Sequence, residues 1–496
     1  MSNKKRPSKK KSSGNYNAIA QEYKSFASAS AGVGSSSSKP SSKGITEERL
    51  KNMLNDPSKN APQIASLSSR IKVSNGMYKR VINYLSSILT YDHMIYPVFD
   101  NPHEVTGDMS EMKMAYAQTA VFIDRLNPKF HLPIFAEKIL TNGSVYLYKL
   151  DDSKGVAYQE FPISYCRISY IENGVYRYQI DISKISEKNV SDFPKEVQSA
   201  YSSFKNGNKE KLKDGKWHQV TEKGVAFTMD VDVLSQGGLS LPSLASSLID
   251  AIKIENAKQN MESDSELDNT KIVHSKIETD DKGRPTMELP VVREYHNAVK
   301  KALPKGAVAI TNPFDTKGMT LDGTGKNGKF ALLDKATDQF FKGTGVSAQL
   351  FADDNSSSQA LERSIQVDSQ WLFSFLLPMF TNYYNYELKK ATKKKSTWKI
   401  KFMYVSHFDR DEAIKTAKDQ LSFGGSRLEY LAYTGMTPLE VANVLVFEQT
   451  ILTIDDFMVA KQTSHTMGAD SEKSEEQGRP PSDDPTDTTV RIKDSE

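Results

Sequence analysis

Apolar positions along the chain change period several times, and each change marks a different kind of element. From Thr46 to Gly143, the segments ITEERLKNML, PQIASLSSRIK, GMYKRVINYLSSILTY, EMKMAYAQTAVFIDRLN and LPIFAEKILTNG carry apolar residues at steps of three and four. That spacing stacks side chains along one side of a helix, and Pro, Asn and Gly separate the segments. The whole stretch therefore reads as helical. The period then drops to two. SVYLYKL, VAYQEF and YCRISYI alternate as strands do. GVYRYQIDI follows Glu172-Asn173-Gly174, whose Asn-Gly pair is a strong hairpin signal. A helix in FPKEVQSAYSSFKNG and short strands in KWHQV and VAFTMD close this block near Asp230.

Helical spacing returns at Leu239. In LSLPSLASSLIDAIKIENAKQNME, Ser240 is the expected N-cap and Pro242 falls in the first turn, where proline is tolerated. Leu244, Leu248, Ile249 and Ile252 form one stripe before the sequence turns polar. A helix apolar at one end and polar at the other suits an element leaving a packed body for wetter surroundings. Residues 263–328 then read as a small α/β insert. KIVHSKIET and TMELPVV flank the turn DDKGRP as strands, VVREYHNAVKKAL is a helix, and AVAITN and GMTLD are strands.

A second helix runs from about Phe330 to Lys342 and stops at Gly343 and Gly345, which tolerate the positive φ of a helix end. The loop GVSAQLFADDNSSS follows, too long for a tight helix–helix turn; structureless loops of this length are usually functional or disordered. Behind it lies a long helix in which Leu361, Ile365, Leu372, Phe375, Leu376, Met379, Phe380 and Tyr383 recur mostly at steps of three and four. Ser356, Ser357 and Ser358, after Asp353, Asp354 and Asn355, supply the small oxygen-bearing side chains that cap a helix start. Pro378 lacks an N–H and crowds the carbonyl of Ser374, so a bend is expected there. STWKIKFMYVS then alternates as a strand, and DRDEAIKTAKDQLS, GSRLEYLAYTG, TPLEVANVLVFEQTI and IDDFMVAKQT read as helices. Thr437, Pro438 and Glu440 spell a capping box.

A helix, a loop of the form GVS..LF followed by acidic and Ser residues, and a long kinked helix: this order resembles the tunnel region of tailed-bacteriophage portal proteins. GMTPLEV resembles their C-terminal crown, and the resemblance spans about residues 60–465. It implies an α+β, mainly helical fold divided as a portal subunit is. A wing would occupy 45–238, a stem helix 239–262, an α/β clip 263–328 and a second stem helix 329–344. A tunnel loop would follow at 345–358, then a long kinked helix and a strand returning to the wing sheet at 359–408, and a helical crown at 409–465. The resemblance further implies a dodecameric ring at one capsid vertex, assembled in the host cytoplasm and carried in the virion, through which double-stranded DNA is packaged and ejected. The clip would dock the terminase large subunit and later the head–tail connector. Wing and crown would face the capsid shell, built from major capsid and scaffolding proteins, and the packaged genome. Gln349, Asp353, Asp354, Asn355, Ser356, Ser357 and Ser358 would face the DNA as polar or acidic groups that touch phosphates without gripping them.

Bulk composition narrows the field. The 496 residues allow several packed units, since one core rarely grows past ~250–300 residues. A net charge of +3 is small for this length, so the protein as a whole is not an electrostatic nucleic-acid glue. The single cysteine, Cys166, excludes an internal disulfide framework and a multi-cysteine zinc site. The near-unbroken apolar run WLFSFLLPMF falls short of the ~18–20 residues a membrane span requires, and no apolar stretch follows the charged start MSNKKRPSKKK. A protein without membrane insertion is expected. Residues 1–44, rich in Ser and Lys, and the acidic, Pro-containing 466–496 read as disordered tails. The block KKRPSKKK suits either a solvated tail or contact with nucleic acid or a scaffold.

Catalytic motifs fare poorly. GTGKNGKF supplies Gly323, Gly325, Gly328 and Lys329 in the order of a phosphate-binding loop, but Phe330 fills the position that needs a metal-binding hydroxyl. GMTLD before it is not the buried strand from which such a loop hangs. The histidines are scattered, without a zinc-hydrolase pair. The Asp-Asp pairs fall in turns, a helix start or tails. No enzyme and no cofactor is expected. KKATKKK, with Lys389, Lys390, Lys393, Lys394 and Lys395, suits the C-terminal end of a helix dipole and also meets what phosphate contact requires. Two other classes stay open: a different capsid or head–tail structural protein, and a P-loop nucleotide-binding enzyme using GTGKNGK.

Overall fold

The computed structural model describes residues 47–99, 109–152, 155–208, 210, 212–269, 271–276, 278, 286–302, 307–312, 326–351, 358–391 and 397–453. The chain divides into two compact units, 1–441 and 442–496. The fold is α+β and mainly helical. In the first unit come α1 (Glu47–Asn55), α2 (Pro57–Ser74), α3 (Gly76–Ser87), β1 (His93–Val98), α4 (Met109–Leu126) and α5 (Pro128–Asn142). The sheet strands β2 (Ser144–Asp151), β3 (Val156–Phe161), β4 (Cys166–Glu172) and β5 (Val175–Asp181) follow. Next are α6 (Lys195–Lys205), β6 (Trp217–Gln219) and β7 (Gly224–Thr228). A helix, α7 (Leu248–Asn269), leads into β8 (Lys271–Lys276), α8 (Leu289–Ala302) and β9 (Ala307–Asn312). The chain continues through α9 (Lys326–Thr344), α10 (Ser358–Ala391), β10 (Thr397–Phe402), α11 (Arg410–Leu421) and α12 (Arg427–Tyr433). The last helix, α13 (Pro438–Val446), contains the boundary between the units. In the second unit the described residues are the end of α13, a π-helical turn at Phe447–Ile451, and Leu452 and Thr453 after it.

Six strands form one antiparallel sheet in the order β3-β2-β7-β5-β4, with β6 paired to β5. The period-two alternation of β2 sends successive side chains to opposite faces. Val145 and Leu147 join Val225 and Phe227 in the larger core, against α2, α3, α5 and α10; Tyr146 and Tyr148 join Tyr178, Ile180 and Phe161 against Val197 and Tyr201 of α6. The sheet is thus covered on both faces, which is why all of β7 is buried. The hairpin joining β4 to β5 turns at Asn173 (φ 53°) and Gly174 (φ 75°), the positive-φ pair that an Asn-Gly turn favours.

Four local expectations need correction. The stretch from Thr46 to Gly143 is not wholly helical, because His93–Val98 forms β1 and pairs antiparallel with β10 in a separate two-stranded sheet. The returning strand at 397–402 therefore joins β1 within the 45–238 region, rather than the six-stranded sheet. Alternation along β10 buries Trp398, Ile400 and Phe402, and Ile400 lies opposite Ile95. Ser240 is not an N-cap. Residues 242–248 instead make successive turns, with Ala245 donating to Pro242 O at 3.0 Å and Ser247 to Leu244 O at 3.1 Å, and α7 begins only at Leu248. Tertiary docking accounts for the delay: the Leu241 amide donates to Asp230 Oδ2 at 3.2 Å, and Gly143 (φ 86°) leaves no room for a Cβ against the Leu241 carbonyl. Finally, TMELPVV is not a strand, since α8 starts at Leu289 and β8 finds its partner in β9, in parallel register. The turn DDKGRP and the segment GMTLD lie outside the described residues.

Candidate functional site

Two helices that bracket the α/β insert lie against each other. In α7, Leu248, Ala251, Ile252 and Ile254 are buried; in α9, so are Ala336, Phe340 and Phe341, and all belong to one core. Their contact is close at Gly343, where a Cβ would stand 3.2 Å from Asp250 Oδ2 and 3.4 Å from Ser247 Oγ. Asn75 fixes the pair to the helical body. Its carboxamide oxygen caps α3 by accepting from the Tyr78 amide at 3.0 Å, while its nitrogen donates to the Ala251 carbonyl at 3.1 Å. Phe340 meets the Tyr78 ring at a centroid distance of 6.4 Å.

Past Gly345 (φ 75°), the loop is pinned at a short 3-10 turn, Ala348–Leu350. Phe351 is the anchor. It stacks on Phe341 (5.6 Å, 12°), meets the edge of Tyr84 (5.7 Å, 88°) and lies under the Arg80 guanidinium at 5.0 Å. Gln349 is exposed beside this anchor. Asp353, Asp354, Asn355, Ser356 and Ser357 lie outside the described residues, and Ser358 is the first residue of α10. Pro378 sits within the helical span of α10, withdrawing one N–H from its ladder; three residues on, Thr381 Oγ1 donates back to the Leu377 carbonyl at 2.6 Å.

The buried side of α10 carries polar groups as well as its apolar stripe. Asp368 accepts from the Tyr84 hydroxyl at 3.0 Å, and burial lifts its carboxyl to about 6, against the opposing effect of that hydrogen bond. Tyr383 donates to the Tyr158 hydroxyl at 3.0 Å, and burial pushes both phenols above their ordinary range. Glu387, almost fully buried, pairs with Lys149 of β2. At the C-terminal end of α10, Lys389 is exposed, whereas Lys390 pairs with Glu222 and lies 4.8 Å from the centre of the Tyr386 ring. Arg177 lies 4.6 Å from the centre of the same ring and donates to the Gly224 carbonyl at 2.8 Å. Lys393, Lys394 and Lys395 lie outside the described residues.

One ionic node escaped the sequence reading. Asp92, 1% exposed, accepts from Lys129 at 2.6 Å and from Arg410 at 3.1 Å. Lys129 also donates to the Gly435 carbonyl at 2.5 Å, and Arg410 Nε to the Tyr433 carbonyl at 3.2 Å. The node joins α5, the residue before β1, and the start of α11 to the turn after α12. Its partners are up to 318 residues apart, so no local signal could have revealed it.

Several other chemistry-bearing side chains among the described residues have structural partners or are buried. His93 is buried, its imidazole pushed down to about 4 by desolvation, and shares a 3.1 Å hydrogen bond with the Tyr91 carbonyl. His218 contacts Glu196, which also accepts from the Thr221 amide at 2.8 Å and hydroxyl at 2.7 Å. Burial raises the Cys166 thiol well above its usual value, which disfavours the nucleophilic thiolate. Among the described residues, no group of three or more His, Cys, Asp or Glu side chains is arranged to hold a metal ion. Among them too, no helix is long and apolar enough to cross a membrane. Gly328 and Lys329 fall in the first turn of α9, while Gly323 and Gly325 lie outside the described residues. Comparison with known sequences adds no relative: no protein-family model matches the chain, and no curated protein does.

Proposed function

We propose that this chain is the subunit of a portal ring of the tailed-bacteriophage type, which admits and releases double-stranded DNA at one capsid vertex. The observation that carries the reading is the packing of α7 on α9. An α/β insert separates the two helices in sequence, yet they share one core, and α9 continues into an anchored loop and a helix of 34 residues. In this reading, α7 and α9 are the stem, the insert between them is the clip that docks the terminase large subunit and then the head–tail connector, and residues 345–358 are the tunnel loop. The helices and sheet of 45–238 form the wing, and the helices from Arg410 form the crown.

Such rings arise from heterologous contacts that close on themselves. The small net charge of +3 supports the assignment on physical grounds. A channel lined densely with lysine would hold phosphates through counterion release and stall sliding DNA. Sedimentation velocity on the purified full-length chain tests the proposal. A closed dodecamer sediments as one large, discrete species that persists on dilution; a monomer, or a ladder of growing sizes, contradicts it.

A further inference from the structure

Between α1, α2 and the six-stranded sheet lies a cleft of about 650 Å³, within the size range of small-molecule sites. Its charge is one-sided. Arg49 of α1 and Lys59 and Arg70 of α2 contribute to the lining from the helical side; Arg167 of β4, Lys184 from the turn after β5, and Lys216 just before β6 contribute from the sheet side. The lone carboxylate in the lining, Asp181, is 2% exposed and already accepts from the Ser183 amide at 3.1 Å and hydroxyl at 2.5 Å. Lys216 reaches its other oxygen only at 3.8 Å. Arg167 is held in place: its guanidinium lies 4.1 Å from the centre of the Trp217 ring, Nε donates to Gln179 at 3.1 Å, and one terminal nitrogen contacts Asp214 at 3.2 Å. Neither the stem pair nor the tunnel loop uses these residues.

We propose that this cleft binds a compact ligand carrying two or more phosphate groups. Of the cations in the lining, Lys59 pairs with Asp56 at 2.8 Å and Arg167 with Asp214 at 3.2 Å, whereas Arg70, Lys184 and Lys216 face only the committed Asp181, a positive excess that a single carboxylate ligand would not offset. Guanidinium forks match phosphate oxygens two at a time, and Arg167 is pre-oriented by its indole platform. The volume suits one or two nucleotides and is too small to enclose a duplex. The phosphates therefore come from a free polyphosphate or from a single strand. The inference does not depend on ring formation.

Calorimetric titration of the full-length protein at low salt tests it, with inorganic triphosphate, a short single-stranded thymidine oligonucleotide and hexaglutamate as separate probes. Triphosphate or the oligonucleotide is expected to bind, and to weaken steeply as salt rises. Competition between the two assigns the cleft to single strands as well as free polyphosphate; binding of triphosphate alone assigns it to the free ligand. Arg70→Gln combined with Lys216→Gln should weaken binding roughly tenfold or more while thermal unfolding is unchanged, since both side chains are exposed. Lys59→Gln with Arg70→Gln provides the same test confined to the helical wall. Absence of binding by both phosphate probes, affinity unchanged in both double variants, or hexaglutamate binding as tightly as triphosphate would overturn the proposal.

Discussion

The Tyr84 hydroxyl donates to Oδ2 of Asp368 at 3.0 Å, tying α3 to the buried side of α10. Burial raises the Asp368 carboxyl to about 6, although that hydrogen bond acts in the other direction. An unfolded aspartate titrates near ~3.9. Between about pH 4 and 6 the native state thus holds more protons than the unfolded one, and stability falls as pH rises, with the penalty complete above 6. Asp368→Asn removes the titration and keeps an acceptor for Tyr84. It should stabilise the protein by about 1–2 kcal/mol at pH 7 and by almost nothing at pH 4. Urea unfolding at the two pH values measures this, and an equal difference at both would show that ionisation is not the cause.

Phe351 gathers Phe341, Tyr84 and Arg80 around one ring. Phe351→Ala should cost about 2–3 kcal/mol, near the low end for a large-to-small change because the ring is only partly buried. Limited proteolysis should cut faster between residues 345 and 358 in this variant. Phe351→Leu should recover part of the loss. An unchanged cleavage pattern would mean that the loop is held elsewhere.

Removing Asp92 leaves Lys129 and Arg410 without their shared carboxylate. Asp92→Ala should destabilise by about 3–5 kcal/mol, the range for breaking a buried ion pair from one side. A double-mutant cycle with Arg410→Met should recover part of the loss, since the orphaned cation is then gone. Strictly additive effects would contradict a shared node.

Side-chain volume at Gly343 tests the α7–α9 contact. A methyl group would stand 3.2 Å from Asp250 Oδ2 and 3.4 Å from Ser247 Oγ, close but adjustable. Gly343→Ala should change stability by less than about 1 kcal/mol, as better helix propensity offsets the crowding. Gly343→Leu should destabilise by about 2 kcal/mol or more because it forces the helices apart. Chemical denaturation distinguishes the two; equal effects would mean that the helices do not touch there.

On the proposed function, Asp353→Lys with Asp354→Lys should slow DNA packaging without dissolving the ring, because added cations would grip passing phosphates. Packaging kinetics in a reconstituted system provide the measurement. Unchanged kinetics would remove these residues from the tunnel.

Elements set by neighbouring residues were legible in the sequence. The Asn173-Gly174 hairpin adopts the positive φ angles that its residue types favour. The capping box closes in both directions, Glu440 Oε2 accepting from the Thr437 amide at 2.7 Å and Thr437 Oγ1 from the Glu440 amide at 3.3 Å. What depends on distant partners was not legible. β1 is a six-residue strand containing Pro97, and it becomes a strand because β10 supplies its partner. The late start of α7 follows from docking on Asp230 and Gly143, which outweighs the Ser-x-Pro helix signal. The anchoring role of Phe351 and the Asp92 node likewise exist only once remote segments meet. In the loop, the phenylalanine that ends GVS..LF is the residue that stacks on Phe341, a contact that its spacing in the sequence does not reveal.

The proposed portal function rests on copies of this chain closing around an axial hole. Negative-stain electron microscopy of the purified full-length protein looks at that directly. The account predicts end-on class averages with twelve-fold symmetry and a central channel. Isolated monomers, solid particles or open filaments in place of such rings would contradict it.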